Sequence, residues 1–505
     1  MSLENFPAFP AARIGLEPPT VAIVGGGASG LLTAAQLHRH RAPVRIVLVE
    51  ERPRLGRGVA YDTTCDAHLL NVPAAGMSAY PDDPGHFTHW ARTRRPEAHA
   101  GSFLPRRLYG EYLEWCLDQE IGEPRRRTTF TAVRGRVTGV APGPDGVRLD
   151  LADGGTVWAD TVVLALGNSA APAREPAAAE PGGAVRDAWQ AGALENLPPG
   201  RPVALVGTGL TAVDVIVSLD EAGFDGKIHA VSRRGLLPRA HQAVPPAVAL
   251  LLTGGPGQPT SAPTSLSDER DGAWPRTARA LVATLRAEVD RAAAAGRDWR
   301  TVVDGLRPHT QALWASLPEP ERARLHRHAL RYWEVHRHRM APEIAERVDA
   351  LRRSGRLEII AGRVVSITPG LDGGADLALR PRRRMTGSSP GPADVVIEAG
   401  TVIRCTGPTE RLASAGDPLL DGLFRRGDAR PGPLGLGLDV DRDGRLVGEG
   451  GRPSDTLWAV GPLRRGALLE TTSVPEIREQ AAALARVLPD SVLAAQSGST
   501  LEEAL

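Results

Sequence analysis

Lysine is almost missing from this chain. Of its 60 lysine and arginine residues only Lys227 is a lysine, so a P-loop lysine or a Schiff-base lysine has no other place to stand. Cysteine is scarce too: Cys65, Cys116 and Cys405 lie far apart and form no C-x-x-C. That spacing removes a dithiol–disulfide redox pair, and three thiols cannot make a four-cysteine zinc or iron–sulfur site. No apolar run approaches the ~18 residues a membrane span needs. The first 20 residues lack the basic-then-apolar pattern of a secretory signal, which makes the cytoplasm the expected location. Neither sign of charge is in excess. A formal net charge of +1 gives no reason to expect nucleic acid or anionic membrane as a partner. What remains is ordinary globular material: 505 residues, 42% hydrophobic and 24% charged, enough for two or three domains.

The most informative stretch is TVAIVGGGASGLLTAAQLHRHRAPVRIVLVE, residues 20–50. Val21–Val24 read as a buried parallel strand running into Gly25, Gly26, Gly27 and Gly30, with a small-residue helix from Leu31 to about His40. A second strand, Val44–Val49, ends in Glu50. Such glycines let a pyrophosphate approach the backbone at a helix N-terminus. Glu50 stands 20 residues past Gly30, where a carboxylate accepts from a ribose diol. The pattern restarts at RPVALVGTGLTAVD. Strand Val203–Val206 enters Gly207, Gly209 and Thr211, and a helix continues to about Ala222. The next strand, Lys227–Val231, ends in Ser232, Arg233 and Arg234. Arginines in place of an acid favour a 2′-phosphate, hence NADPH over NADH.

Between and after these units the chain divides by character. Residues 54–90 are rich in Gly, Pro and Asp and read as a long functional loop with short turns. A helix is expected from about Pro105, and strands with turns at 142–146 and 153–155 fill 128–166. A Pro/Ala/Gly-rich linker covers about 170–200. Residues 241–355 carry helical periodicity, with helices at about 275–296, 299–316, 319–335 and 342–354. Strand returns at 356–367, a polar hairpin tip spans 380–394, and a strand at 394–408 ends in Gly407. The D-x-D-x-D-G run from Asp439 has Gly450 where a calcium loop needs its glutamate, so a hairpin turn at 442–444 is the better reading. The expected fold class is α/β: two Rossmann-like dinucleotide-binding domains with an inserted helical subdomain. The FAD domain takes 1–170 and 411–505, the NADPH domain 200–240 and 356–410, and the insertion 241–355.

The motifs VAIVGGGASG with Glu50, VVLALGN, VALVGTGLTAVD with Arg233 and Arg234, VIRCTGP and LWAVGP together resemble two-dinucleotide flavoproteins that include flavin monooxygenases. More closely, GRGVAYDTTCDAHLLNVPAAGMS, SRRGLLPRAH, VHRHRMAPEI and LETTSVPEIREQA are similar to a bacterial FAD/NAD(P)-binding group. That group contains the amino-acid N-hydroxylase that oxidises aspartate to nitrosuccinate. The chain departs mildly in having ALGN where related proteins often carry Ala-Thr-Gly. The resemblance implies FAD and NADPH as cofactors, molecular oxygen and a small amino acid as substrates, and N-hydroxylation through a flavin C4a-hydroperoxide. It implies cofactor contacts from Gly25, Gly27, Ser29, Gly30 and Glu50, from Gly58, Asn71 and Met77 of the loop, and from Gly167, Gly207, Gly209 and Thr211. Arg233, Arg234, Gly407, Gly461, Thr472 and Val474 complete that set, the last two at a helix N-terminus aimed at the flavin's pyrimidine edge.

Catalytic residues are not legible; the candidates are Asn71, His336, Arg339, Arg464 and Arg465. Arg106, Arg107, Arg464 and Arg465 have the fork geometry to meet a carboxylate. His326 and His328, like His336 and His338, are two residues apart, which points each pair to different helix faces and speaks against a metal. An FAD oxidase or dehydrogenase that uses the second domain only structurally would share these motifs. So would a redox-sensing protein that binds both cofactors without turnover.

Overall fold

The computed structural model describes residues 18–41, 43–123, 128–168, 183–190, 192–242, 275–382, 394–407 and 411–502. The expected hairpin tip at 380–394 lies almost wholly outside them.

Strand β1 (Thr20–Val24) is buried at every position. Such a run of small and β-branched residues suits the centre of a parallel sheet covered on both faces. Helix α1 (Ala28–Arg39) follows, then β2 (Arg45–Glu50), which pairs in parallel with β1. The stretch read as loop contains two short helices, α2 (Gly58–Tyr61) and α3 (His86–Arg92). Phe87, Trp90 and Ala91 of α3 are buried, so a single turn of apolar spacing overrides a Gly/Pro/Asp-rich neighbourhood. Helix α4 (Arg106–Gly122) precedes the strands β3 (Thr129–Arg134), β4 (Val137–Gly143), β5 (Gly146–Leu151), β6 (Thr156–Ala159) and β7 (Thr161–Leu164). β4, β5 and β6 form a separate antiparallel sheet with the expected turns.

The second sheet begins inside the expected linker, with β8 (Val185–Asp187). Next come β9 (Val203–Val206), α5 (Leu210–Glu221) and β10 (Ile228–Ser232). The insertion contains α6 (Ala278–Ala294), α7 (Trp299–Leu306), α8 (Thr310–Ser316), α9 (Glu319–His328), α10 (Leu330–Arg337) and α11 (Pro342–Arg353). The second expected helix is broken at Arg307–His309, where Pro308 starts a 3-10 turn. The third is broken at Ala329, so four expected helices become six. Strand β11 (Leu357–Pro369) pairs in parallel with β10 through its first half and antiparallel with β12 (Ala375–Pro381) through its second. Gly400 splits the expected strand 394–408 into β13 (Val395–Ala399) and β14 (Thr401–Arg404). The sheet order is β13-β12-β11-β10-β9-β14-β8.

The chain then returns to the first sheet through helix α12 (Pro418–Arg426), β15 (Arg445–Val447) and β16 (Pro453–Ala459), giving the order β15-β16-β7-β1-β2-β3. The Asp441 carboxylate accepts from the N–H groups of Asp443, Gly444 and Arg445, closing the expected hairpin turn. Helix α13 (Val474–Glu502) ends the described chain. It packs with α1 and α4 on one face of the first sheet, while the β4–β6 sheet and α12 cover the other. Among the described residues no helix is long and apolar enough to cross a membrane.

The two sheets repeat one construction. The Gly25 N–H donates to Val49 O beside β1, and the Gly207 N–H donates to Val231 O beside β9. Gly25 has φ +102°, and a Cβ on it would lie 2.6 Å from the Ala165 carbonyl oxygen; Gly207, at φ +131°, would meet the Cys405 oxygen in the same way. A Cβ on Gly30 would overlap the Gly25 carbonyl oxygen outright. Gly30→Ala is therefore expected to push α1 off β1 and to destabilise the protein by at least about 3 kcal/mol, the upper end of overpacking costs. The thermal midpoint of purified protein checks this; a midpoint within a degree of wild type would refute it.

Candidate active site

Each dinucleotide turn leaves its helix N-terminus open. Gly27 and Gly209 are the N-caps of α1 and α5, and among the described residues neither helix has a side-chain cap hydrogen bond to its first N–H groups. Those donors suit a phosphate. Gly27 has ordinary extended φ/ψ, and among the described residues a Cβ there would meet only the Gly58 backbone, Cα at 3.5 Å and N at 4.0 Å. Glu50 stands at the end of β2 with both oxygens engaged: one accepts from Gly26 N–H at 2.6 Å, the other from Arg52 N–H at 2.9 Å. It fixes the turn, and each oxygen keeps a second lone pair for a ribose hydroxyl. Gly167 and Gly407 follow β7 and β14 at positive φ, and no described residue other than the chain neighbours lies within 4 Å of the point a Cβ on either would occupy.

The start of α13 is tied to the first turn. Gly461, at φ +73°, sits against Ser29 with no room for a side chain. Its N–H donates to Gln480 Oε1 at 2.9 Å, and its carbonyl accepts from the Thr471 hydroxyl at 2.6 Å. Val474 is buried at the head of the helix, and Met77 is buried in the core beneath the loop. Asn71 is half-buried, its carbonyl accepting from His241 Nε2 at 3.0 Å.

The helical insertion grips the loop before α13. Trp314 Nε1 donates to Gly466 O at 2.8 Å, and Gln311 brackets the Leu469–Glu470 backbone. The Glu470 carboxylate accepts from Trp333 Nε1 at 3.1 Å and from Arg337 Nε at 3.0 Å. Arg337 and Glu470 are 6% and 4% exposed, and removing one partner of such a pair costs about 3–5 kcal/mol. Burial pushes the Glu470 carboxyl up, against the pull of Arg337. Glu476, in the first turn of α13, pairs with Arg307 at 2.8 Å and with Arg337 at 3.4 Å. A half-open cavity lies at this junction. Trp314, Trp333, Glu334, His338, Arg465 and Thr472 are among the residues that line it. Burial, and after it the Arg337 charge, holds the His338 imidazole down at about 3, so the ring is neutral.

The structure divides the candidate residues. Thr472 and Arg465 face the cavity. Arg464 does not: its guanidinium donates to Arg442 O at 2.8 Å beside the Asp441 turn. His336 packs edge-on against Trp299, ring centroids 4.9 Å apart, and its Nδ1–H donates to the Tyr332 carbonyl at 2.7 Å. Its neighbour two residues on, His338, is the one at the cavity. Arg339 is buried, paired with Asp304 and 5.8 Å from the Trp299 ring centroid. Arg106 pairs with Asp214 of α5 at 2.6 Å, and Arg107 with Asp66 and Glu111. Arg106 thus holds the two dinucleotide units together, assisted by His68, whose Nε2 lies 2.8 Å from Ser218 Oγ. Arg233 is exposed at the end of β10, while Arg234 lies over the Tyr332 ring, 5.3 Å from its centroid. Trp314, Trp333 and Glu470 escaped sequence reasoning because no local pattern pairs positions this far apart in the chain.

Fold and turns define a protein with two dinucleotide-binding units. Residues 22–169 match a family described as FAD-NAD(P)-binding, so the amino-terminal unit is an FAD-NAD(P)-binding domain. No curated protein matches the chain. Among solved structures it resembles the reduced form of ornithine hydroxylase from Pseudomonas aeruginosa at 17% identity and TM-score 0.60, over 94% of this chain and 99% of that one. Ornithine N-hydroxylase from Kutzneria sp. 744, with reduced FAD, NADP+ and L-ornithine, aligns over the same shares at 18% identity and TM-score 0.60. L-lysine 6-monooxygenase from Pseudomonas syringae does so at 16% and 0.55. At these identities the likeness is one of fold.

Two outcomes follow. Gly27→Val should leave the fold intact, because a Cβ there meets the Gly58 backbone at ordinary contact distance, yet abolish FAD binding, because the side chain takes the pyrophosphate's place. A folded variant that purifies yellow would refute that assignment. The second concerns acid. Burial first, and the Arg339 charge after it, depresses His241 from 6.5 to about 3. The unfolded chain therefore binds the extra proton between those values, and this contribution is complete above pH 6.5 and is lost as pH falls toward 3. His241→Asn should flatten the stability–pH slope in that window in chemical denaturation; an unchanged slope would contradict the assignment.

Proposed function

We propose that this protein is an FAD-dependent, NADPH-using monooxygenase that hydroxylates the amine nitrogen of a small amino acid, with aspartate as the first candidate. The observation that carries this reading is the cavity between the insertion and the loop before α13. Its wall combines a carboxylate, Glu334, a guanidinium, Arg465, and two indoles, groups of the charges that pair with a zwitterion.

The cofactor fit rests on the two uncapped helix N-termini and on turns where a side chain would fill the pyrophosphate's path. In this reading Gly25–Gly30 and Glu50 hold FAD, and Gly207–Thr211 with Arg233 hold NADPH. Bound FAD, reduced by NADPH, supplies the activation of oxygen. The protein's residues do the rest. The α13 N-terminus favours negative charge placed at its first turn. Trp314 and Trp333 supply the apolar part of the cavity wall. Arg465 orients the substrate carboxylate. Glu334 and the neutral His338 ring are hydrogen-bond acceptors for its ammonium group, which must release a proton before the nitrogen can act as a nucleophile. With Arg464 turned away, a dicarboxylate meets one cavity arginine rather than the expected pair. The structural relatives named above, which act on ornithine and lysine, support amine hydroxylation as the reaction class.

Enzyme, FAD, NADPH and labelled oxygen are incubated with aspartate and other amino acids, and products are examined by mass. The expected result is substrate-stimulated NADPH oxidation with label on nitrogen, as hydroxylamine, nitroso or nitro compound. Stimulation by a ketone or thioether but by no amine would overturn N-hydroxylation. NADPH-indifferent peroxide release would make the protein an oxidase.

A further inference from the structure

The two dinucleotide turns differ in one respect. The first faces only the backbone of Gly58, whereas the second faces a cation. Arg331, in the first turn of α10, brings Nη2 to 3.4 Å and Nη1 to 4.0 Å from the point a Cβ on Gly209 would occupy. Its Nη1 also pairs with Glu334 Oε2 at 3.0 Å, one turn further along the same helix, and the side chain is 37% exposed. A guanidinium has the wrong sign for this position. The N-terminus of α5 carries partial positive charge from its unpaired N–H groups, and cations are favoured at the opposite end of a helix. The pair with Glu334 does not account for the placement. An i,i+3 pair on a half-exposed helix surface is weak, and Glu334 engages Nη1 while Nη2 is the nitrogen nearest the turn. Two positive groups facing each other across a short gap are reconciled by an anion between them.

We propose that Arg331 closes the nicotinamide-nucleotide site from the insertion side, its guanidinium gripping the pyrophosphate of the bound nucleotide against the α5 N-terminus. The proposal rests on the reading of the second unit as the NADPH-binding one, and it adds a residue that lies outside that unit. The neighbouring residue points the same way: Tyr332 packs under Arg234, so two successive residues of α10 cover the turn and the end of β10. The insertion then recognises the part of the nucleotide common to NADPH and NADH, and Arg233 the 2′-phosphate that distinguishes them. Because Glu334 both pairs with Arg331 and lines the cavity, the nucleotide and the substrate cavity share one ion pair.

The test is equilibrium binding of NADPH and NADH to the FAD-loaded wild type and to Arg331→Ala, Arg331→Lys and Arg233→Ala, with flavin content and circular dichroism confirming the fold. Arg331→Ala should weaken both nucleotides by the same factor, about ten- to a hundredfold for a lost charge-assisted contact, and Arg331→Lys should recover part of it. Arg233→Ala should weaken NADPH alone. If wild type binds NADPH and Arg331→Ala binds it equally well, the proposal fails while the NADPH reading stands. A loss confined to NADPH moves Arg331 to the 2′-phosphate and likewise overturns the pyrophosphate assignment. If wild type binds neither nucleotide, both readings fall together.

Discussion

Everything in this molecule depends on one close approach of backbone to backbone. Where β1 ends, Gly25 comes against the carbonyl of Ala165, and where β9 ends, Gly207 comes against Cys405. A side chain at either place would force the neighbouring strands apart. Because the approach is allowed, each central strand turns directly into its helix, and the helix points its unpaired N–H groups over the C-terminal edge of the sheet. This is the crevice at which open parallel sheets bind their ligands. The first sheet tolerates the tight turn because α1, α4 and α13 bury its other constraints in one apolar layer.

The second dependence is ionic. The helical insertion is attached to the first unit by a chain of charged and polar contacts, Arg307–Glu476, Arg337–Glu470 and Trp333–Glu470, set around the head of α13. Burying such charges costs desolvation, and their mutual pairing offsets it only while the geometry holds. The insertion's position is therefore tightly specified. From that position α10 presents Arg331 to the Gly209 turn, Tyr332 to Arg234 and Glu334 to the cavity, which its C-cap His338 also lines. One short helix thereby touches both parts of the proposed reaction, delivery of reducing equivalents and recognition of the substrate.

The dinucleotide turns were legible because their determinants are local. Glycines at fixed offsets, an apolar run before and a small-residue helix after sit within 30 residues of one another. The same locality predicted β9, the hairpin at Asp441 and the helix from Arg106. Short elements whose stability comes from distant partners were not legible. His86–Arg92 reads as loop until Phe87 and Trp90 meet the aromatic layer of α4, and Val185–Asp187 reads as linker until β14 offers it an edge.

For the candidate site the division is sharper. The sequence by itself determined the α/β class, both glycine turns at the heads of α1 and α5, the lack of a dithiol pair and of a P-loop lysine, and the arginines at the end of β10. Each of these follows from residue type or from spacing along a single element. Only the tertiary structure decided which members of closely spaced pairs face the cavity: His338 and not His336, Arg465 and not Arg464. It also engaged Arg106 with Asp214 and set Arg331 over Gly209. Neighbours in a chain point in different directions, and which direction is inward depends on what packs against the element. The elements that settle it here, α8 to α10 on one side and residues 465–476 on the other, come together only when the chain closes on itself across more than 130 residues.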